Sequence, residues 1–223
     1  MNKILFIHHS VGRLLLEYGN VRESVSVGGK GQWELWDYDY NRFGLKDGTG
    51  ETAECGWKVP NDDTDPNGLH KLIASVVNNL DGLGIIKDYD ALMLKSCYTA
   101  SSIKTDETLS VYEDQLDNIV RLSKELPLKV IFLTSPPRTS FATRYSDAVR
   151  ANEYRKYILN HDHDNGGRFR VIDLFGFLTS NSDKYTLDPQ YRRFFPLDSH
   201  PNKLGSKMAG DFISKDLIQI LAE

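Results

Sequence analysis

Four short apolar runs constrain this chain more than any other feature: Ile4 to Ile7, Ala91 to Leu94, Val130 to Thr134 and Phe169 to Leu174. Runs of this length, bounded by polar residues, suit strands buried on both faces of a parallel sheet. Stretches with helical spacing lie between them. Leu69, Leu72, Ile73, Val76, Val77 and Leu80 predict a helix over 67–80, with Asp65-Pro66-Asn67 supplying a cap and a first-turn proline. Leu109, Tyr112, Leu116, Ile119, Val120 and Leu126 predict a second over 108–126, which Pro127 stops. Two more are expected over 147–159 and 204–221. Strands alternating with helices imply an α/β fold, a parallel sheet with helices on both sides. A single domain accommodates all 223 residues. In such sheets ligands gather at the carboxyl ends of the strands, so chemistry is to be sought just after each apolar run.

Residues 17–67 interrupt the pattern. They are rich in Gly, Asp, Asn and aromatics, including Trp33, Trp36, Tyr38, Tyr40 and Trp57, and no helical period runs through them. They read as a loop-rich insertion holding at most one short strand. Its tryptophans either pack it down or stack on sugar rings.

Charge narrows the partners. The 27 basic residues are scattered against 31 acidic ones, for a net charge of -4. Phosphate binding needs a concentrated basic surface, so nucleic acid is not an expected partner. No apolar run approaches the roughly 18 residues of a membrane span. Lys3 is followed by only four apolar residues, too few for a secretory leader. The expectation is a cytoplasmic protein, or a mature form whose leader was removed. Cys55 and Cys97 lack CxxC spacing and are expected as free thiols, Cys97 buried at the end of its apolar run. No metal or other cofactor is expected. His8 and His9, adjacent on a strand, point to opposite faces. His161-Asp162-His163-Asp164 reads as a solvated turn, and Asp62, Asp63 and Asp65 form only part of a calcium ladder.

The chemistry centres on two segments. Ser10 follows the first strand in His8-His9-Ser10-Val11-Gly12 and leads into Leu14-Leu15-Leu16. At a strand-to-helix turn its hydroxyl is exposed at the sheet edge, and the helix-start N–H groups can hold an oxyanion. Taken alone, Ser10 reads sooner as a helix cap than as a nucleophile. The other segment is Leu197-Asp198-Ser199-His200-Pro201-Asn202, ahead of the last helix. A serine hydroxyl needs a base to attack at neutral pH, and a nearby aspartate sets the tautomer of that base.

These residues resemble the SGNH (GDSL-like) hydrolases. The resemblance rests on a serine after strand one, a strand ending in Pro136-Pro137, Val171-Ile172-Asp173-Leu174, and Asp198-x-His200-Pro201-Asn202-x-x-Gly205-x-x-Met208-Ala209. It implies a flavodoxin-like three-layer α/β/α fold and hydrolysis of O-acyl esters, often acetyl esters of carbohydrates or acyl lipids. It also implies Ser10 as nucleophile, His200 as base and Asp198 as its partner. Three features depart from the family pattern. His8-His9-Ser10 replaces Gly-Asp-Ser, Asp198 stands two rather than three residues before His200, and Lys95-Ser96-Cys97-Tyr98 replaces the block whose Asn donates to the oxyanion. Ser96, Tyr98 or a local N–H must then substitute, with Gly68 at a helix start as a second donor. Losing such a donor costs on the order of a hundredfold in rate. Arg138, at a strand tip, is a substrate contact or a surface charge. The expected partner is a small-molecule or glycan ester. An O-acyltransferase and a non-catalytic glycan-binding protein remain the alternatives.

Overall fold

The first apolar run becomes β1 (Asn2–His8), and α1 (Ser10–Glu17) follows after one residue. Next come α2 (Val21–Gly28), β2 (Trp33–Asp39), β3 (Gly44–Lys46), β4 (Thr52–Ala53), α3 (Pro66–Val77), α4 (Ile85–Asp88) and β5 (Ala91–Lys95). The second half holds α5 (Asp106–Ser123), β6 (Lys129–Leu133), α6 (Tyr145–Asn160), α7 (Asp164–Gly167), β7 (Phe169–Ile172), α8 (Leu174–Leu178) and α9 (Lys203–Leu221). These elements belong to a computed structural model that describes residues 1–39, 44–55, 65–78 and 85–223. Tyr40, Trp57, Asp62, Asp63 and Leu80 lie outside the described residues.

The strands form one sheet in the order β4-β3-β2-β1-β5-β6-β7. β2, β1, β5, β6 and β7 run parallel, while β3 and β4 join one edge antiparallel. Chain progression reverses at β1, so its carboxyl end is the switch point at which such sheets receive ligands. Period-two alternation sends successive β1 side chains to opposite layers. Leu5 and Ile7 pack with Leu72 of α3, Ile119 of α5 and Tyr154 of α6. Ile4 and Phe6 pack with Leu15 of α1, Val25 of α2 and Ile213 of α9. This is the expected three-layer arrangement, with the apolar runs buried on both faces.

The segment 17–67 corrects the sequence reading. Among its described residues it carries α2, the seven-residue β2 and the β3–β4 pair, and β2 pairs with β1 along its whole length. Its alternation was hidden because Asp37 and Asp39 occupy inward positions, where both are buried. Trp33 and Trp36 pack against the two cores, and Lys3 Nζ sits 4.4 Å from the Trp36 ring centroid. Cys55 and Cys97 are not joined in a disulfide, and Cys97 is half-buried rather than buried. Among the described residues, no helix is long and apolar enough to cross a membrane.

One contact controls how the two functional ends of the chain meet. A Cβ placed on Gly210 of α9 would fall on the Cα and carbonyl of Gly19, just past α1, so the two backbones touch with no side chain between them. Gly210→Val is therefore expected to destabilise the fold by about 1–3 kcal/mol, the usual cost of forcing volume into a packed contact. A urea midpoint equal to the parent's would show that the helices spread freely.

Candidate active site

Ser10 is the first residue of α1, directly after the buried end of β1. No side chain caps this helix, and Arg13 N–H is the first to bond back, to the His9 carbonyl at 3.2 Å. Among the described residues nothing takes up the N–H groups of the first turn beside the Ser10 hydroxyl.

Beneath that turn lies His8, fully buried. Its Nδ1 is 2.8 Å from the His9 carbonyl and its Nε2 is 3.1 Å from Asp37 Oδ2. A carbonyl only accepts, so Nδ1 carries a proton. Burial raises the Asp37 carboxyl, but hydrogen bonds and charge from His8 and Arg22 outweigh it and hold it below the usual carboxylate range. Asp37 is thus ionised, an acceptor on the Nε2 side of the ring. One of its oxygens faces His8 and the other takes Arg22. Gly12 completes this arrangement, since any Cβ there would strike the His8 ring.

His200 arrives on the turn before α9. Asn202 caps that helix by accepting from Gly205 N–H at 2.8 Å, and its Nδ2 donates to the carbonyls of Gln190 and Arg192 at 2.8 and 3.0 Å. Ser199 is buried, and its Oγ accepts from Thr139 N–H at 3.2 Å, which ties the turn to the loop after β6. So held, His200 Nε2 lies 2.7 Å from Ser10 Oγ. On the other side of the ring, Nδ1 lies 2.7 Å from Asp198 Oδ1. The two-residue spacing works because the same Oδ1 accepts the His200 backbone N–H at 2.9 Å, closing an Asx turn. Arg193 Nη1 donates to Asp198 Oδ2 at 3.3 Å. Burial raises the Asp198 carboxyl, but the bonds and charge of His200, with Arg193, outweigh it and hold it low.

The remaining candidates separate. Tyr98 sets its ring edge-on to His200, with centroids 5.6 Å apart, and among the described residues its buried hydroxyl has no hydrogen-bond partner. Arg138 Cζ lies over the Tyr98 ring, 5.6 Å from its centroid, and Arg138 donates through Nε to the Tyr98 carbonyl at 3.3 Å. Ser96 is fully buried, and its carbonyl accepts from Lys95 Nζ at 3.0 Å. Gly68 is not open as an oxyanion donor: its N–H is spent on the Asp65 side chain at 2.8 Å, capping α3. The residues that open onto the couple are Ser10, Arg13, Leu14, Glu17, Arg193 and His200, around a shallow cleft of about 330 Å³.

Arg193, the His8–Asp37–Arg22 group and the fully buried Lys95, whose ammonium is pushed down by desolvation, escaped the sequence reading. Only the acids spaced two apart in an aromatic strand offered a signal. The His161–Asp164 stretch is taken up by ion pairs: His161 with Asp164 and Asp117 at 2.7 and 3.3 Å, and Asp162 with Arg170 at 3.1 Å. Among the described residues no group of three His, Cys, Asp or Glu side chains is placed to hold a metal.

No protein-family model matches the chain. No curated protein matches it in sequence. Solved structures do match. A lipase/acylhydrolase from Enterococcus faecalis is similar over 98% of this chain and 96% of its own, with 17% identity and a TM-score of 0.60. An acetyl xylan esterase, AlAXEase, is similar over 96% and 99%, with 16% identity and a TM-score of 0.56. The psychrotrophic esterase EstA from Pseudoalteromonas sp. is similar over the full length of both chains, with 10% identity and a TM-score of 0.54. Together with the sheet order and the flanking layers, these likenesses show that the chain has the SGNH (GDSL-like) hydrolase fold.

Proposed function

We propose that the protein is a serine hydrolase of O-acyl esters. The observation that carries this reading is the Ser10 Oγ to His200 Nε2 distance of 2.7 Å, with Asp198 on the far side of the ring. His200 takes the hydroxyl proton as Oγ bonds to the ester carbonyl carbon. The carbonyl oxygen becomes an oxyanion facing the open N–H groups of the α1 first turn, including that of Ser10. When the carbon–oxygen bond to the alcohol breaks, His200 returns the proton to the leaving oxygen. The acyl-serine is then attacked by water, whose proton passes to His200 and back to Ser10. Asp198 holds the imidazole in the Nδ1–H tautomer and stabilises the imidazolium in both halves. With the family's asparagine absent, Tyr98 and Ser96 are the nearest hydroxyl-bearing replacements in the chain, and Tyr98 is the one in contact with His200. The small cleft suits a short acyl group such as acetyl, and the Arg13, Glu17 and Arg193 side chains at its wall suit an alcohol of carbohydrate type.

A fluorophosphonate probe tests this directly. The parent is expected to be labelled and Ser10→Ala is not. An unlabelled parent would instead favour the non-catalytic, glycan-binding reading. Turnover of an acetyl ester with and without an added sugar acceptor then separates hydrolysis from acyl transfer.

A further inference from the structure

A second depression has in its wall Tyr98, the residue whose ring stands edge-on to His200. It measures about 340 Å³ and is lined by Tyr98, Thr99, Ser102, Lys104, Thr108, Tyr112 and Arg138. Its composition differs from that of the Ser10 cleft, where Arg193 is neutralised by Asp198 and Arg13 by Asp39. Here two cations face the space and, among the described residues, no carboxylate lines it. Among the described residues neither Lys104 nor Arg138 forms a salt bridge. The nearby acids at the start of α5 are engaged elsewhere, Asp106 with Arg150 and Glu107 with Thr105. Arg138 donates to the Tyr98 carbonyl and, at 3.5 Å, to the Ala142 carbonyl, so most of its five N–H donors remain for a ligand. Those two bonds also fix the guanidinium on the Tyr98 ring, so little is lost in ordering it. Hydroxyls of Thr99, Ser102 and Thr108 and the rings of Tyr98 and Tyr112 complete the walls, a lining suited to a sugar ring. In a chain of net charge -4, an unneutralised pair of cations one aromatic ring from the reacting couple favours a ligand of opposite charge.

We infer that this depression is a subsite for a carboxylate-bearing sugar, so that the ester cleaved at Ser10 is that of an acylated uronic acid. The inference rests on the hydrolase reading for its link to Ser10, but the subsite is tested by binding alone. Ser10→Ala protein, which leaves the ester intact, is titrated with O-acetylated methyl glucuronoside and with O-acetylated methyl glucoside, following backbone amide shifts. The uronoside is expected to bind about tenfold tighter, the scale of one charge-assisted contact. Shifts should fall within residues 98–112 and at Arg138. Lys104→Gln, an exposed change that spares the fold, and Arg138→Gln should each bring the affinity ratio toward one, and added salt should shrink it. Equal affinity for the two sugars overturns the inference, as does a preference that survives both substitutions. Tighter binding of an acetylated sugar phosphate overturns the assignment of a carboxylate. If the parent resists fluorophosphonate labelling yet prefers the uronoside, the hydrolase reading fails and the subsite stands.

Discussion

His200→Ala is expected to lower kcat/KM for p-nitrophenyl acetate by about 10⁴-fold or more, the loss seen when a triad base is removed. The reason is geometric. Nε2 lies 2.7 Å from the Ser10 hydroxyl, and among the described residues Ser10 Oγ has no other hydrogen-bonding side chain. The fold should survive, because the His200 side chain is 30% exposed and the turn is held by Ser199 and Asn202 instead. Unchanged thermal unfolding beside lost turnover is the pattern to look for. Asp198→Asn provides the companion measurement. It keeps the volume but offers the imidazole an amide in place of an acceptor carboxylate, so a loss of roughly 10³- to 10⁴-fold is expected. A His200→Ala protein retaining a tenth of parental activity would remove His200 from the reaction.

Asp37→Leu carries the largest expected stability effect, about 3–5 kcal/mol, because it leaves the buried His8 ring and the half-buried Arg22 guanidinium without their shared acceptor. Asp37 binds the fully buried His8 through one oxygen and Arg22 through the other, and its own side chain is 3% exposed. Urea unfolding at neutral pH measures the difference between parent and variant, and a change below about 1 kcal/mol would contradict the ion-pair geometry. The pH dependence has a definite sign. The folded carboxyl titrates below its ordinary value of 3.8, so its stabilisation is complete above that range and is lost as pH falls through the depressed value. The gap between parent and variant should therefore narrow in acid.

The legible part of the fold was the part governed by double-sided burial. β1, β5, β6 and β7 are apolar because helices cover both of their faces, so their residues carry the signal unaided. The meeting of Ser10 with His200 was legible for a different reason. Ser10 and His200 each stand where a strand or turn gives way to a helix, and local residue types record that. β2 was not legible, since its inward Asp37 and Asp39 are solvated by His8, Arg22 and Arg13 rather than by water. Such a strand reads as polar until its partners, distant in the chain, are known. α2 buries chiefly Val21 and Val25, too little for a helical period to emerge. The close Asp198–His200 spacing looked like a defect, but one oxygen serves both the amide and the ring. Gly68 failed as a donor because a capping aspartate three residues earlier claimed its N–H.

The bare junction of Gly19 with Gly210 makes a fulcrum. At 1.5 Å of rise per residue, Ser10 and Asn202 each stand about 12–14 Å from it along their helices. With arms that long, a tilt of roughly 5° moves a reacting atom by about 1 Å, enough misplacement to cost on the order of a hundredfold in rate. Substitutions remote from the cleft, anywhere along the inner flank of either arm, should therefore register in turnover before they register in melting.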